Sequence, residues 1–476
     1  MAELDFRDKH KPSLNAVRTK FELESINKKT TYYGNDKLIF HIPSNMPNTF
    51  LDTAYGLNLK FKINLGSITA SNSSKLLLVL DKAGAMSSIN RIMVRQAGVV
   101  LSEVSGANVL ACLMKSYETN ALYCGNQGLL LEGMKQQAQG SQLEFERDAG
   151  GAQITPERAL LDVCVPLNYT VLSSASQNIP LFGKAPIEVE LTFEIASRIG
   201  AYELTVNPAE TPAIVNTLVS YTEVKLQGYF IEISQQAMSM IDEAHGGIYK
   251  IVSNNWTNVQ DIVEANVKSF SSNIPVNVSS LNRVLAVHRD STKIKNEGDI
   301  VDSADATYPL SLGHHIYPDI DTYQFNIDGE KFPSVPVRIN PNDSISGDEF
   351  SYQLENTDDS WGLYASKSSL CAKSGASNTF KFNSLSFVSG FASAGHPWGG
   401  DSTNIASFAS GYDFEIMNEG KADKMYNGRS TVGSQFNYNV FLDNGTDDPL
   451  YIDYFAQHTV MLILNKRGAG VFEYYQ

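Results

Sequence analysis

The stretch "GLNLKFKINL" at residues 56–65 places Leu57, Leu59, Phe61, Ile63 and Leu65 in strict alternation with Asn58, Lys60, Lys62 and Asn64. A period of two puts every apolar side chain on one face of an extended chain, whereas on a helix the same residues would be spread around the axis. The pattern returns along the whole sequence. It is seen in "KLIFHIP" (37–43), "KLLLVL" (75–80), "INRIMVRQ" (89–96), "VVLSEV" (99–104), "LLDVCVPL" (160–167), "IEVELTFE" (187–194) and "YTEVKLQGYFIEI" (221–233). In the second half "IYKIVS", "RVLAVHR", "TFKFNSLSFVSGF", "FNYNVFL" and "TVMLILN" continue it. Only two segments read as helices: 106–118 after the potential cap Ser105, and 234–245, stopped by Gly246-Gly247. The fold class expected is therefore all-β.

At 476 residues the chain is too long for one ordinary domain and suits two β-sandwiches, each of ~200–250 residues. The expected division is an N-terminal arm over 1–34, a first sandwich over 35–233, a linker helix over 234–249 and a second sandwich over 250–476. An internal echo supports duplication: "NYTVLSSASQNIPL" (168–181) and "NYNVFLDNGTDDPL" (437–450) share Asn, Tyr, Val, Pro and Leu at identical spacing. Residues 124–158, rich in Gly and Gln, are expected to be a long functional or projecting excursion.

The segment "DTYQFNIDGEKFPSVPVRI" (321–339) concentrates Asp321, Asp328 and Glu330 around a tight turn. Tyr323, Phe325 and Ile327 alternate before the turn, and Val335, Val337 and Ile339 after it. Asp328-Gly329 tolerates positive φ, so a hairpin is expected with its carboxylates as turn chemistry. Pro333 and Pro336 mark the second strand as an edge or a bulge.

Charge narrows the function. The net charge is −15, and residues 290–360 alone carry 15 Asp and Glu against four Lys and Arg. The first 30 residues hold seven basic against five acidic side chains, far from the dense basic arm that neutralising many phosphates requires. Little direct contact with nucleic acid is expected. No apolar run approaches the ~18–20 residues of a membrane span, and the charged start lacks a signal-peptide core, which suggests a soluble protein made in the cytosol.

No catalytic, cofactor-binding or metal-ligating set emerges. Phosphate-cradling glycine motifs are absent. Ser393 and His396 in "SGFASAGHPWGGD" lack the G-x-S-x-G spacing of a nucleophile elbow. His314-His315 with Asp319 and Asp321 fail as a metal site, because adjacent residues on an extended chain point apart. The Asp-rich loops "DSADATY", "PNDSISGDE" and "DNGTDD" lack the spaced ligands of a calcium loop and read as solvated surface. Cys112, Cys124, Cys164 and Cys371 are too scattered for a zinc site and read as buried thiols. Trp256, Trp361 and Trp398 could stack on sugars or anchor loops.

Four segments in order resemble the major capsid proteins with two jelly rolls, the lineage of the adenovirus hexon and the virophage and Polinton-type capsid proteins. They are "SSINRIMVRQAGVVLSEVSGANVLACLM" (87–114), "VCVPLNYTVLSSASQNIPLFGKAPIEVELTFE" (163–194), "IDTYQFNIDGEKFPSVPV" (320–337) and "YNGRSTVGSQFNYNVFLDNGTDDPLYIDYFAQHTVMLILN" (426–465). The resemblance implies two eight-stranded jelly rolls in tandem and a structural, non-enzymatic role without cofactors. It implies a homotrimer forming a pseudo-hexagonal capsomer of an icosahedral virion, made in the host cytoplasm. Its implied partners are neighbouring capsomers, penton and minor capsid proteins, and an internal membrane where the virus has one. Residues 124–158 and 290–360 would then project outward, and the arm 1–34 would lie inside. The competing reading from the residues is a carbohydrate-binding or glycan-active double β-sandwich.

Overall fold

The computed structural model describes residues 16–66, 75–81, 83–118, 142–146, 153, 156–205, 214–298, 312–313, 315, 320–338, 371–373, 380–382, 409–415, 428–442, 446, 448–466 and 470–476. Sixteen strands form two sandwiches of the same plan. In the first roll they are β1 (Ala16–Glu24), β2 (Lys37–Ile42), β3 (Asn58–Leu65), β4 (Ile89–Gln96), β5 (Val99–Ser105), β6 (Leu160–Pro166), β7 (Ile187–Phe193) and β8 (Val219–Ile233). In the second they are β9 (Ile248–Val263), β10 (Ser269–Asn273), β11 (Leu281–Asp290), β12 (Ile320–Ile327), β13 (Glu330–Arg338), β14 (Ala409–Asp413), β15 (Phe436–Leu442) and β16 (Leu450–Asn465).

Apart from the short strands Thr49–Leu51 and Ile179–Pro180 beside β8 and Phe472–Tyr475 beside β16, the sheet orders are β1-β8-β3-β6 and β2-β7-β4-β5 in the first roll, and β9-β16-β11-β14 and β10-β15-β12-β13 in the second. Adding eight to each label of the first roll reproduces the second. This antiparallel order, in which first and last strands are neighbours, is that of a jelly roll. The chain is all-β, with α1 (Ala107–Glu118) and α2 (Gln235–His245) as accessories. Three further strands, Lys75–Leu80, Gln142–Glu146 and Gly200–Thr205, form a small sheet from the connections of the first roll, so the 124–158 excursion contains a paired strand.

The alternation in β3 does what its period requires: Leu59, Phe61, Ile63 and Leu65 are buried, while Lys60 faces solvent. The β12–β13 hairpin turns on Asp328 (φ 51°) and Gly329 (φ 86°), and β4–β5 turns the same way on Ala97 (φ 50°) and Gly98 (φ 83°). Two consecutive positive φ values are the type I′ geometry whose twist matches the strands. Hydrogen bonds from the Ser434 hydroxyl and the Gln435 N–H hold the Asp328 carboxyl below its usual pKa, so this carboxylate fastens the turn to the chain before β15. The proline-containing β13 is an edge strand. Helix α2 starts where Ser234 Oγ accepts from Ala237 N and stops at Gly246 in the left-handed region.

Two expectations are corrected. The arm expected over 1–34 contains β1, paired along its length with β8 from Ala16↔Ile233 to Glu24↔Lys225. Its alternation is veiled because β1 is an edge strand: Phe21 is buried, but Val17 is exposed and Thr19 stands where an apolar residue would announce the strand. The Arg18 guanidinium fastens it, lying 3.6 and 3.9 Å from the ring centres of Tyr55 and Tyr229 and 2.8 Å from Asp52 Oδ2. The echo between 168–181 and 437–450 also fails, since the first copy lies between β6 and β7 whereas the second runs from β15 into β16. Duplication is real, but the equivalent strands are β7 and β15, which share no such motif.

Candidate assembly surfaces

A chain built twice from one plan must first join its halves, and β11 carries that joint. "LNRVLAVHRD" is buried at all but its last residue. Val284 and Ala286 enter the core of the second roll, whereas Leu285 and Val287 join the core of the first. A strand covered on both faces reads as a continuous apolar run, as "VLAV" does. Trp256, Phe455, Val460, Leu462 and Leu464 extend the same shared core.

Polar contacts set the register of this seam. Ser102 Oγ donates to Asn255 Oδ1 at 2.7 Å, and Asn255 Nδ2 donates to the Tyr474 hydroxyl at 3.1 Å. Ser253 Oγ donates to the Val171 carbonyl at 2.7 Å. Gln96 accepts from Phe472 N at 2.7 Å and donates to the Ala185 carbonyl at 2.8 Å. At the opposite end the buried Asp81 carboxylate accepts from the backbone N–H groups of Leu312 (3.2 Å) and Gly313 (3.0 Å). Buried polar groups satisfied across a seam penalise any other docking of the two rolls.

Gly183 marks a close approach of the two rolls: Lys184 N donates to the Gly470 carbonyl at 2.7 Å, and a Cβ on Gly183 would lie 2.7 Å from that same oxygen. Because the obstacle is backbone, Gly183→Val is expected to lower stability by about 1–3 kcal/mol. Hydrogen exchange at Phe472 checks this; loss of its protection is the expected sign that the seam has opened.

The outer faces of the first roll are charged. On β2-β7-β4-β5, Arg95 Nε lies 2.5 Å from Glu188 and Arg91 Nη2 lies 2.6 Å from Glu103, with Lys37 3.8 Å from Glu190 and His41 3.5 Å from Glu188. On β1-β8-β3-β6, Lys62 bridges Glu223 (2.6 Å) and Asp162 (4.0 Å), and Lys225 reaches Glu22 (3.4 Å). The Lys62 ammonium holds the Glu223 carboxyl below its usual pKa. Such exposed pairs contribute little stability each, about 0–1 kcal/mol, but they favour hydration of the faces that carry them.

The residues singled out for chemistry do not converge. Trp256 is 3% exposed within the shared core and cannot stack on a sugar from solution. His315 is buried and forms a backbone bridge with Arg289, while Asp321 is half-buried at the start of β12. Cys112 is buried in α1, its Sγ 3.6 Å from Asp81 Oδ1, and Cys164 is half-buried in β6. Ser393, His396, His314, Asp319, Trp361, Trp398, Cys124, and the loops 302–308 and 341–349 lie outside the described residues. Among the described residues no three His, Cys, Asp or Glu side chains are grouped to hold a metal ion, and no helix is long and apolar enough to cross a membrane. What the sequence concealed is the seam, whose polar partners lie far apart along the chain, such as Ser102 and Asn255, and carry no local signature.

No family model matches the chain, and no curated protein matches it in sequence. Solved structures do match. The Faustovirus major capsid protein superposes with a TM-score of 0.55 at 10% identity, over 96% of this chain and 92% of that one. The PBCV-1 virus capsid gives a TM-score of 0.55 at 9% identity, over 99% of this chain and 100% of that one. Both likenesses span the two rolls and their connections. This chain therefore has the double jelly-roll fold of these viral major capsid proteins.

Proposed function

We propose that this chain is the major capsid protein of an icosahedral virus, three copies closing head-to-tail into a pseudo-hexagonal capsomer. The observation that carries the proposal is the repetition of one eight-stranded plan in two rolls that stand side by side in the same orientation. The orientation follows from the seam. The β3–β4 and β7–β8 connections meet the β11–β12 connection, where Asp81 accepts from Leu312 and Gly313, and Arg198 Nε donates to the Lys295 carbonyl at 2.6 Å. At the other end, Gln96 beside the β4–β5 turn meets Phe472, beyond the end of β16. Like ends therefore adjoin, and three chains supply six parallel rolls, the number a hexagonal tile needs.

The longest connections, β5–β6 and β13–β14, leave from the end that also carries β3–β4 and β11–β12. Because the β11–β12 and β13–β14 connections hold most of the acidic residues of the stretch 290–360, this end is the natural outer surface. β1 begins at the opposite end, where Ala16 faces Ile233, so the preceding residues enter from the inner side. There they would meet minor capsid proteins or a membrane, with pentons and neighbouring capsomers at the edges. Assembly from exposed sheet faces needs no catalytic group. The buried position of Trp256 counts against the glycan-binding alternative.

Electron microscopy of the purified protein tests the reading: hexagonal particles with a threefold axis are expected. Elongated particles of a single double roll would contradict it.

A further inference from the structure

The duplication provides an internal control for reading surfaces, because equivalent positions in the two rolls can be compared rung by rung. In the first roll the outward residues of β2, β7 and β4 form three rungs: Lys37–Thr192–Arg91, Ile39–Glu190–Met93 and His41–Glu188–Arg95. Five of the nine carry formal charge, and a histidine makes a sixth titratable group. In the second roll the equivalent rungs of β10, β15 and β12 are Ser269–Phe441–Thr322, Ser271–Asn439–Gln324 and Asn273–Asn437–Asn326. None of these nine is charged; on the edge strand β13, Lys331 pairs with Asn326 and Arg338 with Thr322, and the buried Gln324 donates to the Pro333 carbonyl at 2.8 Å. Among the nine, Phe441 stands 57% exposed in the first rung.

Location gives this difference meaning. The other sheet of the second roll contains β11 and is already docked on the first roll. The β10-β15-β12-β13 face is thus the far side of the molecule, on the opposite side of the roll from the seam. We infer that the uncharged β10-β15-β12 part of this face is the surface through which one copy of the chain docks onto a second copy. The inference rests on the head-to-tail capsomer and names the side of the subunit that closes it.

Three physical arguments support this occupant. Burying charge carries a large desolvation cost, and interface cores are depleted of it, so a three-strand patch without charge is suited to burial, with the basic residues of β13 at its rim. Amide and hydroxyl side chains can exchange hydrogen bonds with a partner directly or through water, and an exposed aromatic ring supplies an anchor. Three strands ~4.8 Å apart and seven residues rising ~3.3 Å each make a flat patch of ~300–350 Å², under half of the ~800 Å² per partner in a standard interface. The face can therefore form the centre of a contact whose rim comes from neighbouring edges.

The test is the solution mass of three variants beside the parent, by light scattering at matched concentration. Asn437→Lys/Asn439→Lys places two charges on the central strand of the face and is expected to weaken association at least ~100-fold, giving a monomer with the parent's circular dichroism. Phe441→Ala removes an exposed ring without disturbing the core, and is expected to weaken association at least ~10-fold. Thr192→Glu adds a charge at the equivalent face of the first roll, next to Lys37 and Arg91, and should keep the parent's mass. An oligomeric parent whose double-lysine and Phe441→Ala variants both assemble normally would overturn the inference and leave the capsomer standing. Dissociation of Thr192→Glu together with the others would overturn it too, since the effect would not belong to this face. A monomeric parent would remove both readings. Glycan binding by the parent, abolished in the double variant without a change of mass, would assign the face to a sugar instead.

Discussion

Asp453→Ala is expected to destabilise the protein by about 3–5 kcal/mol, the range for stranding one member of a buried ion pair. Asp453 on β16 and Arg289 on β11 are 4% and 7% exposed, with Arg289 Nη2 and Nε at 2.5 and 2.8 Å from one carboxylate oxygen. Gln260 Nε2, 3.4 Å away, adds a third donor from β9. Removing the carboxylate leaves a guanidinium inside a sheet covered on both faces, with no water to replace its partner. Replacing both residues together, Arg289→Met with Asp453→Leu, is expected to restore most of the loss, because apolar side chains of similar size need no desolvation. Urea unfolding of the two variants distinguishes these outcomes. If the single change cost no more than the double, the ion pair would not be the source of the effect.

The second large effect is acid lability. Burial pushes the imidazoles of His288 and His458 down to about 3 and about 4. A histidine held neutral in the fold takes up a proton in the unfolded chain below pH ~6.5, so the unfolded state binds more protons there. The stability linked to each residue is therefore complete above pH ~6.5. It is lost as the pH falls toward about 4 for His458 and about 3 for His288. Each unit of separation corresponds to ~1.4 kcal/mol, which gives an order of ~3–5 kcal/mol per residue over the full window. His288 packs near the Tyr438 ring, with centres 6.1 Å apart, in the core of the second roll. His288→Phe is accordingly expected to flatten the fall in unfolding midpoint between pH 6.5 and 4. An unchanged slope in this variant and in His458→Leu would refute the assignment.

How much of this was legible in the sequence depended on distance along the chain. Local signals were sufficient where the structure is local. The alternation in β3, the Asp328-Gly329 turn and the Gly246 stop of α2 each stand in the structure where the residues indicated. Edge strands were harder, because one exposed face dilutes alternation, and β1 passed for an arm although Phe21 and Leu23 keep the period. The seam was invisible for a different reason. Its polar links join Ser102 to Asn255 and Gln96 to Phe472, pairs brought together only after both rolls have formed. The "VLAV" run of β11 announced a strand but neither that both of its faces are covered nor what covers them. Likewise the uncharged amides of β10, β12 and β15 look unremarkable until register aligns them into one face.

In the proposed capsomer, the two like-oriented rolls of one chain make up one third of a threefold ring. Light scattering of the purified parent over a range of concentrations tests it most directly. A stable mass near three times 52.3 kDa is expected. A chain that stays at 52.3 kDa at every concentration under native conditions would contradict it.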